Sequence, residues 1–107
     1  MDLSFEDDAL EHRCACEEAS VRTWGAELAR IIRRRLVQLT AADSLAVVRT
    51  FPFCTLAAAE DGRYVLHSGS RLRIVFSTNA DGPDPDVDAE AETREICVLA
   101  IEIADDD

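Results

Sequence analysis

Arg63-Tyr64-Val65-Leu66-His67-Ser68-Gly69-Ser70-Arg71-Leu72-Arg73-Ile74-Val75-Phe76-Ser77 is the stretch that decides the fold. Two runs, Arg63–His67 and Leu72–Ser77, are rich in β-branched and aromatic residues, and Ser68-Gly69-Ser70 between them has the composition of a hairpin connection. A third run, Phe53–Ala58, precedes them across Asp61-Gly62, another hairpin signal. The final run, Glu95–Ala104, sets Ile96, Val98 and Ala100 against Cys97, Leu99 and Ile101 and is apolar on both faces, which suits a strand at the centre of a sheet. Before it, Asn79–Thr93 is acidic, holds Gly82, Pro83 and Pro85, and lacks apolar periodicity, so residues 79–93 are expected to form a flexible acidic loop.

Upstream of Pro52 the period changes from two to 3.6. Trp24, Leu28, Ile31, Ile32, Leu36 and Leu39 recur at spacings of three and four, predicting one helix from about Val21 to Thr40 with a single apolar face. Arg30, Arg33, Arg34 and Arg35 fall mostly off that stripe and should form an exposed basic surface. A shorter helix is expected at Asp43–Arg49, capped by Asp43 or Ser44 and stopped by Pro52. Asp7 or Asp8 can cap another, running to about Cys16, with Ala9, Leu10 and Cys14 facing inward. Leu3 and Phe5 alternate with Asp2, Ser4 and Glu6 as a first strand. The order is a strand, two or three helices, and an antiparallel meander. That is an α+β fold in one domain, residues 1–107, with no internal repeat.

The chain carries net charge −11, which by itself opposes nucleic-acid binding, yet the charge is segregated. Residues 1–19 sum to −6, residues 20–79 to +5 and residues 80–107 to −10. All eleven basic residues are Arg, a bias that fits a GC-rich genome or a salt-adapted cytoplasm. No stretch approaches the roughly 20 apolar residues of a membrane span, and Met1-Asp2-Leu3-Ser4 does not open a secretory signal, so a cytoplasmic protein with no membrane partner is expected. Cys14, Cys16, Cys54 and Cys97 form no Cys-x-x-Cys pair and are expected as buried thiols.

The residues Trp24-Gly25-Ala26-Glu27-Leu28-Ala29-Arg30, then Arg35-Leu36-Val37-Gln38-Leu39-Thr40-Ala41-Ala42-Asp43-Ser44-Leu45, then Pro52, Asp61-Gly62-Arg63-Tyr64, Arg73-Ile74-Val75-Phe76 and Ile101-Glu102-Ile103-Ala104-Asp105 follow one another as in a known family. Over essentially the whole chain the sequence resembles the RelE/HigB-like plasmid-maintenance toxins of type II toxin-antitoxin systems. The resemblance implies a RelE/ParE-like fold, with the N-terminal strand and helices on one face of a twisted antiparallel sheet. It also implies a cognate antitoxin, a small helix-turn-helix protein, and action on mRNA at the ribosome.

Toxins of that family commonly cleave mRNA without a metal or cofactor, by attack of a ribose 2′-OH on the adjacent phosphate. Such a step needs cations at the phosphorane and groups that take and give a proton. By the resemblance, Arg73 is the phosphate-stabilising residue, with Arg63 assisting and Asp105 matching the acid near the C-terminus. Arg71, Arg33 and Arg34 are candidate RNA contacts, because guanidinium matches phosphate oxygens. Arginines on an exposed strand or helix face often serve only to solvate it. The sequence departs from the family at two places: Thr55 stands where many relatives have a histidine, and Asp106-Asp107 replace the closing Tyr-His. An attenuated endoribonuclease is one reading. A catalytically inactive toxin fold that sequesters antitoxin or binds a gyrase-type target is the alternative, and an unrelated interaction module is a third. His67 could serve as an acid or base but matches no catalytic position of the family and reads more simply as a surface histidine, and Trp24 reads as core. Cys14-Ala15-Cys16 is too few ligands for zinc, and Asp105–Asp107 is more simply a frayed acidic end than a cation site.

Overall fold

A computed structural model of the chain describes residues 1–52, 54–59, 63–69, 71–78 and 95–103. The expected acidic loop, 79–93, and Asp105 lie outside them.

The chain opens with β1 (Asp2–Phe5), in which Leu3 and Phe5 turn toward the core and Asp2 and Ser4 toward solvent, as their alternation requires. Asp7 then caps α1 (Asp8–Ala15), its carboxylate accepting from the Leu10 amide at 2.7 Å and satisfying one of the helix's orphan donors. Leu10 and Cys14, one turn apart, are buried, whereas Ala9 is exposed.

The single long helix expected from the apolar stripe is two helices, α2 (Glu17–Trp24) and α3 (Ala26–Ala41). They part at Gly25, whose φ of 86° and ψ of 160° are open to glycine and almost nothing else. The spacing of three and four carried across the break, so periodicity alone did not register it. Ile32, Leu36 and Leu39 are buried along α3, while Trp24, Leu28 and Ile31 are only partly covered. Ser20, fully buried, donates its hydroxyl hydrogen to the Arg13 carbonyl and so ties α2 to the end of α1. One turn, α4 (Leu45–Val48), follows Ser44 and buries Leu45 and Val48.

The strands are β2 (Cys54–Ala58), β3 (Arg63–Ser68), β4 (Leu72–Thr78) and β5 (Glu95–Ile103). With β1 they form a sheet in the order β1-β5-β4-β3-β2. The meander from β2 to β5 is antiparallel throughout, but β1 pairs with β5 in parallel, so the sheet is mixed rather than antiparallel. No tight turn joins β1 to β5, so nothing forces the hairpin direction on that edge. β5 is hydrogen-bonded on both sides, as its two apolar faces require, although β4 holds the central position.

The helices cover one face of this sheet. Ile32, Leu36, Leu39, Leu45 and Val48 pack with Leu56, Tyr64, Leu66, Ile74, Phe76 and Val98 in one core. Tyr64 and Phe76, cross-strand partners, stack with ring centroids 5.8 Å apart and contribute roughly 0.5–1.5 kcal/mol beyond their burial. The other face carries no described helix, and every candidate residue on the strands projects from it.

Candidate nucleic-acid interface

Strand register sorts the open face into three rows. Thr55, His67, Arg73 and Glu102 oppose one another in turn across β2, β3, β4 and β5. Next come Ala57, Val65, Val75 and Ala100, a half-exposed apolar strip. The last row runs Arg63, Ser77, Cys97 and Ser4.

Arg73 therefore sits on the central strand with His67 on one side and Glu102 on the other. Directly opposed residues of an antiparallel pair hold their Cβ atoms about 4.5–5.5 Å apart, so both neighbours are within side-chain reach of the guanidinium. Arg73 Nε lies 3.8 Å from a Glu102 carboxylate oxygen, and the two side chains remain 45% and 51% exposed. An ion pair that open to water is worth about 0–1 kcal/mol, too little to hold the guanidinium against a phosphate that offers two oxygens at once.

Glu102 reaches this row through a bulge. Phe76 opposes Val98 whereas Val75 opposes Ala100, which leaves Leu99 as an extra residue on β5 and reverses the alternation beyond it. Without the extra residue Ile101 would oppose Arg73, and Glu102 would turn toward the core.

The arginines singled out from the sequence are not all brought together. Arg63 is exposed at the opposite end of the face, opposite Ser77, four residues along β4 from Arg73 and thus roughly 14 Å away. Its backbone thus lies well away from the row that holds Arg73. Arg71 is exposed just before β4. Arg33 and Arg34 project from α3 on the far side of the helical layer, because Ile32 and Leu36, which flank them, face the sheet. There Arg33 Nη1 lies 3.8 Å from a Glu17 carboxylate oxygen, beside a hollow of about 470 Å³ lined by Val21, Ala29, Arg30, Arg34 and Val37. The molecule measures 38 × 29 × 23 Å, so a strand of RNA touching both arginine sets has to wrap around it. Arg35 is not part of the exposed basic surface expected of it. It is half-buried, donating from Nε to Ser68 Oγ at 2.8 Å and from Nη1 to Gln38 Oε1 at 2.9 Å, which fastens α3 to β3.

Glu102 is not singled out by the sequence, and His67 is read from it as a surface histidine. His67 was legible in principle: the pairing of Ser68 with Leu72 closes a three-residue loop and places His67 opposite Arg73. Glu102 was not, since the bulge leaves no mark in the alternation. Of the thiols, Cys97 lies in the last row of this face and the others lie away from it. Burial pushes the Cys14 thiol up to about 11, against a smaller opposing pull from Arg13, and burial likewise raises Cys54, opposed by Arg35 and by the Ser68 hydroxyl. Among the described residues no group of three His, Cys, Asp or Glu side chains is placed to hold a metal ion, and no helix is long and apolar enough to cross a membrane. Compared with protein-family models, with curated proteins and with solved structures, the chain matches none.

Proposed function

We propose that the open sheet face is an RNA-cleaving surface and that the protein is a RelE/HigB-like toxin, an mRNA endonuclease acting at the ribosome and neutralised by a small helix-turn-helix antitoxin. The observation that carries the reading is Arg73: a guanidinium at the centre of a sheet face that carries no helix among the described residues, paired there with a solvent-exposed carboxylate at 3.8 Å. Support also comes from the order of elements, a first strand, then helices, then a meander whose sheet the helices cover on one face, which is the order the resemblance implies. Thr55, standing where that family's pattern has a histidine, is the cross-strand partner of His67, so an imidazole is present in the row though one strand away.

A non-catalytic reading draws on the absence of the closing Tyr-His, replaced by Asp106-Asp107, and on the basic α3 surface, which faces away from Arg73. Expression in a bacterial host separates the two. Growth arrest with cleaved transcripts, both abolished by Arg73→Ala, is the expected result. Arrest with intact transcripts selects a binding toxin. Absence of toxicity together with capture of an antitoxin selects an inert copy.

A further inference from the structure

We infer that His67 and Glu102 are the proton-transfer pair of this site, Glu102 as base toward the ribose 2′-OH and His67 as acid toward the departing 5′ oxygen. This rests on the reading of the open face as an RNA-cleaving surface.

In cleavage by a 2′-OH, the attacking and leaving oxygens occupy opposite apical positions on phosphorus. A phosphate seated on Arg73 by its non-bridging oxygens, with its in-line axis across the strands, has one apical oxygen toward β3 and the other toward β5. Those two strands present, at the positions directly opposing Arg73, the two residues of the row that can exchange a proton: His67 and Glu102. Strand spacing of about 4.8 Å places their backbones roughly 10 Å apart with Arg73 midway, a span that a phosphodiester and two side chains fill. An ionised carboxylate only accepts, and a protonated imidazole donates, so the pair is complementary in the sense the step requires. The bulge at Leu99 gives independent support. A one-residue irregularity that turns a glutamate out of the core and onto the row of an arginine and a histidine is the kind of re-aiming found beside active sites.

A Glu102 oxygen takes the 2′ hydrogen as the 2′ oxygen bonds to phosphorus. The bond from phosphorus to the 5′ oxygen breaks, its electron pair stays on that oxygen, and His67 supplies the proton. The products are a 2′,3′-cyclic phosphate and a free 5′-OH. Glu102 is left protonated and His67 neutral, and exchange with water restores both.

The test is single-turnover cleavage of a short mRNA positioned in the ribosome by the full chain and by His67→Ala, Glu102→Gln and Arg73→Ala, with folding of each checked by circular dichroism. A second substrate carries sulfur in place of the bridging 5′ oxygen at the scissile position, a leaving group that departs without a proton. His67→Ala should slow ordinary RNA by about 10²–10⁴-fold and leave the sulfur-linked substrate within a few fold of wild type. Glu102→Gln should slow both substrates by comparable factors. Equal loss on the two substrates with His67→Ala makes His67 a positioning residue and overturns the acid assignment. Wild-type rates with Glu102→Gln overturn the base. If the wild-type chain cleaves neither substrate, this inference falls together with the reading beneath it. If the wild type cleaves and neither variant changes the rate, the inference falls alone.

Discussion

Gly25→Ala is the substitution whose sign is most diagnostic of how the helical layer is built. The glycine has φ 86° and ψ 160°, and a Cβ added there meets no atom within 4 Å, so the cost is one of backbone conformation and not of packing. A side chain held in that region is strained by about 1–3 kcal/mol, and the lower entropy of an unfolded alanine chain returns about 0.4–1 kcal/mol in magnitude but in the opposite sense, since it favours the folded variant. The net expectation is a loss of about 1–2 kcal/mol. For a domain of this size that lowers Tm by roughly 5–15 °C, readable by circular dichroism and by the urea midpoint at unchanged m. Gly69→Ala is the companion: φ is 66° and space is again open, so it should also destabilise, by about 1–2 kcal/mol. Were residues 21–40 one continuous helix, Gly25→Ala would act as a helix-interior substitution and stabilise the protein by about 0.8–1 kcal/mol. The two pictures differ in sign and by about 2–3 kcal/mol in size. A Gly25→Ala protein that melts above wild type refutes the break.

Raising the pH should weaken the fold between about 9 and 11, because the Cys14 thiol is held at about 11 when folded and ordinarily ionises near 9.0. In that window the unfolded chain gives up a proton that the folded chain keeps, so stability falls as pH rises, by at most roughly 3 kcal/mol in all. Urea titrations at pH 8.5 and 11 should show the loss, and Cys14→Ala should flatten it even from a lower baseline. Arg35→Leu should cost about 1–3 kcal/mol by leaving the buried Ser68 hydroxyl and Gln38 without their donor, whereas Arg34→Leu on the exposed side should fall within about 0.5 kcal/mol of wild type. Thermal melts in low salt and in molar potassium chloride should show a higher Tm in the salt, where self-repulsion of a −11 chain is screened; equal Tm values remove salt adaptation as the reason for the acidity.

Most of the architecture was readable where one local rule acted alone. Leu3 and Phe5, the Asp7 cap, the stripe of Ile32, Leu36 and Leu39, and the three runs of the meander each appear within a residue or two of their expected bounds. The failures arose where two rules met. Gly25 lies inside a spacing that is helical on both sides, and periodicity outvoted the glycine. Arg35 shares a helix with three exposed arginines and differs only by the turn of α3 that points it at Ser68. The parallel pairing of β1 with β5 depends on which edge is left free once the meander has formed, a tertiary fact with no local signature.

The candidate site shows the same limit more sharply, because its membership is a matter of phase. From Cys97 onward, strict alternation groups Leu99 and Ile101 with the open face and consigns Glu102 to the core side, and a carboxylate on that side would be buried without a partner. The extra residue at Leu99 resolves the conflict by exchanging the faces, so that Ile101 and Ile103 pack toward the core and Glu102 turns to Arg73. Burial of two isoleucines stabilises this register by a few kcal/mol, on the order of 1.5–3 for each side chain if fully covered, which exceeds the pairing lost at a single bulge. The placement of Glu102 is therefore set by hydrophobic burial at its neighbours and not by its ion pair with Arg73. It follows that the acid is held in place even when a ligand takes the arginine away from it, a property that a proton acceptor beside a phosphate-binding cation requires.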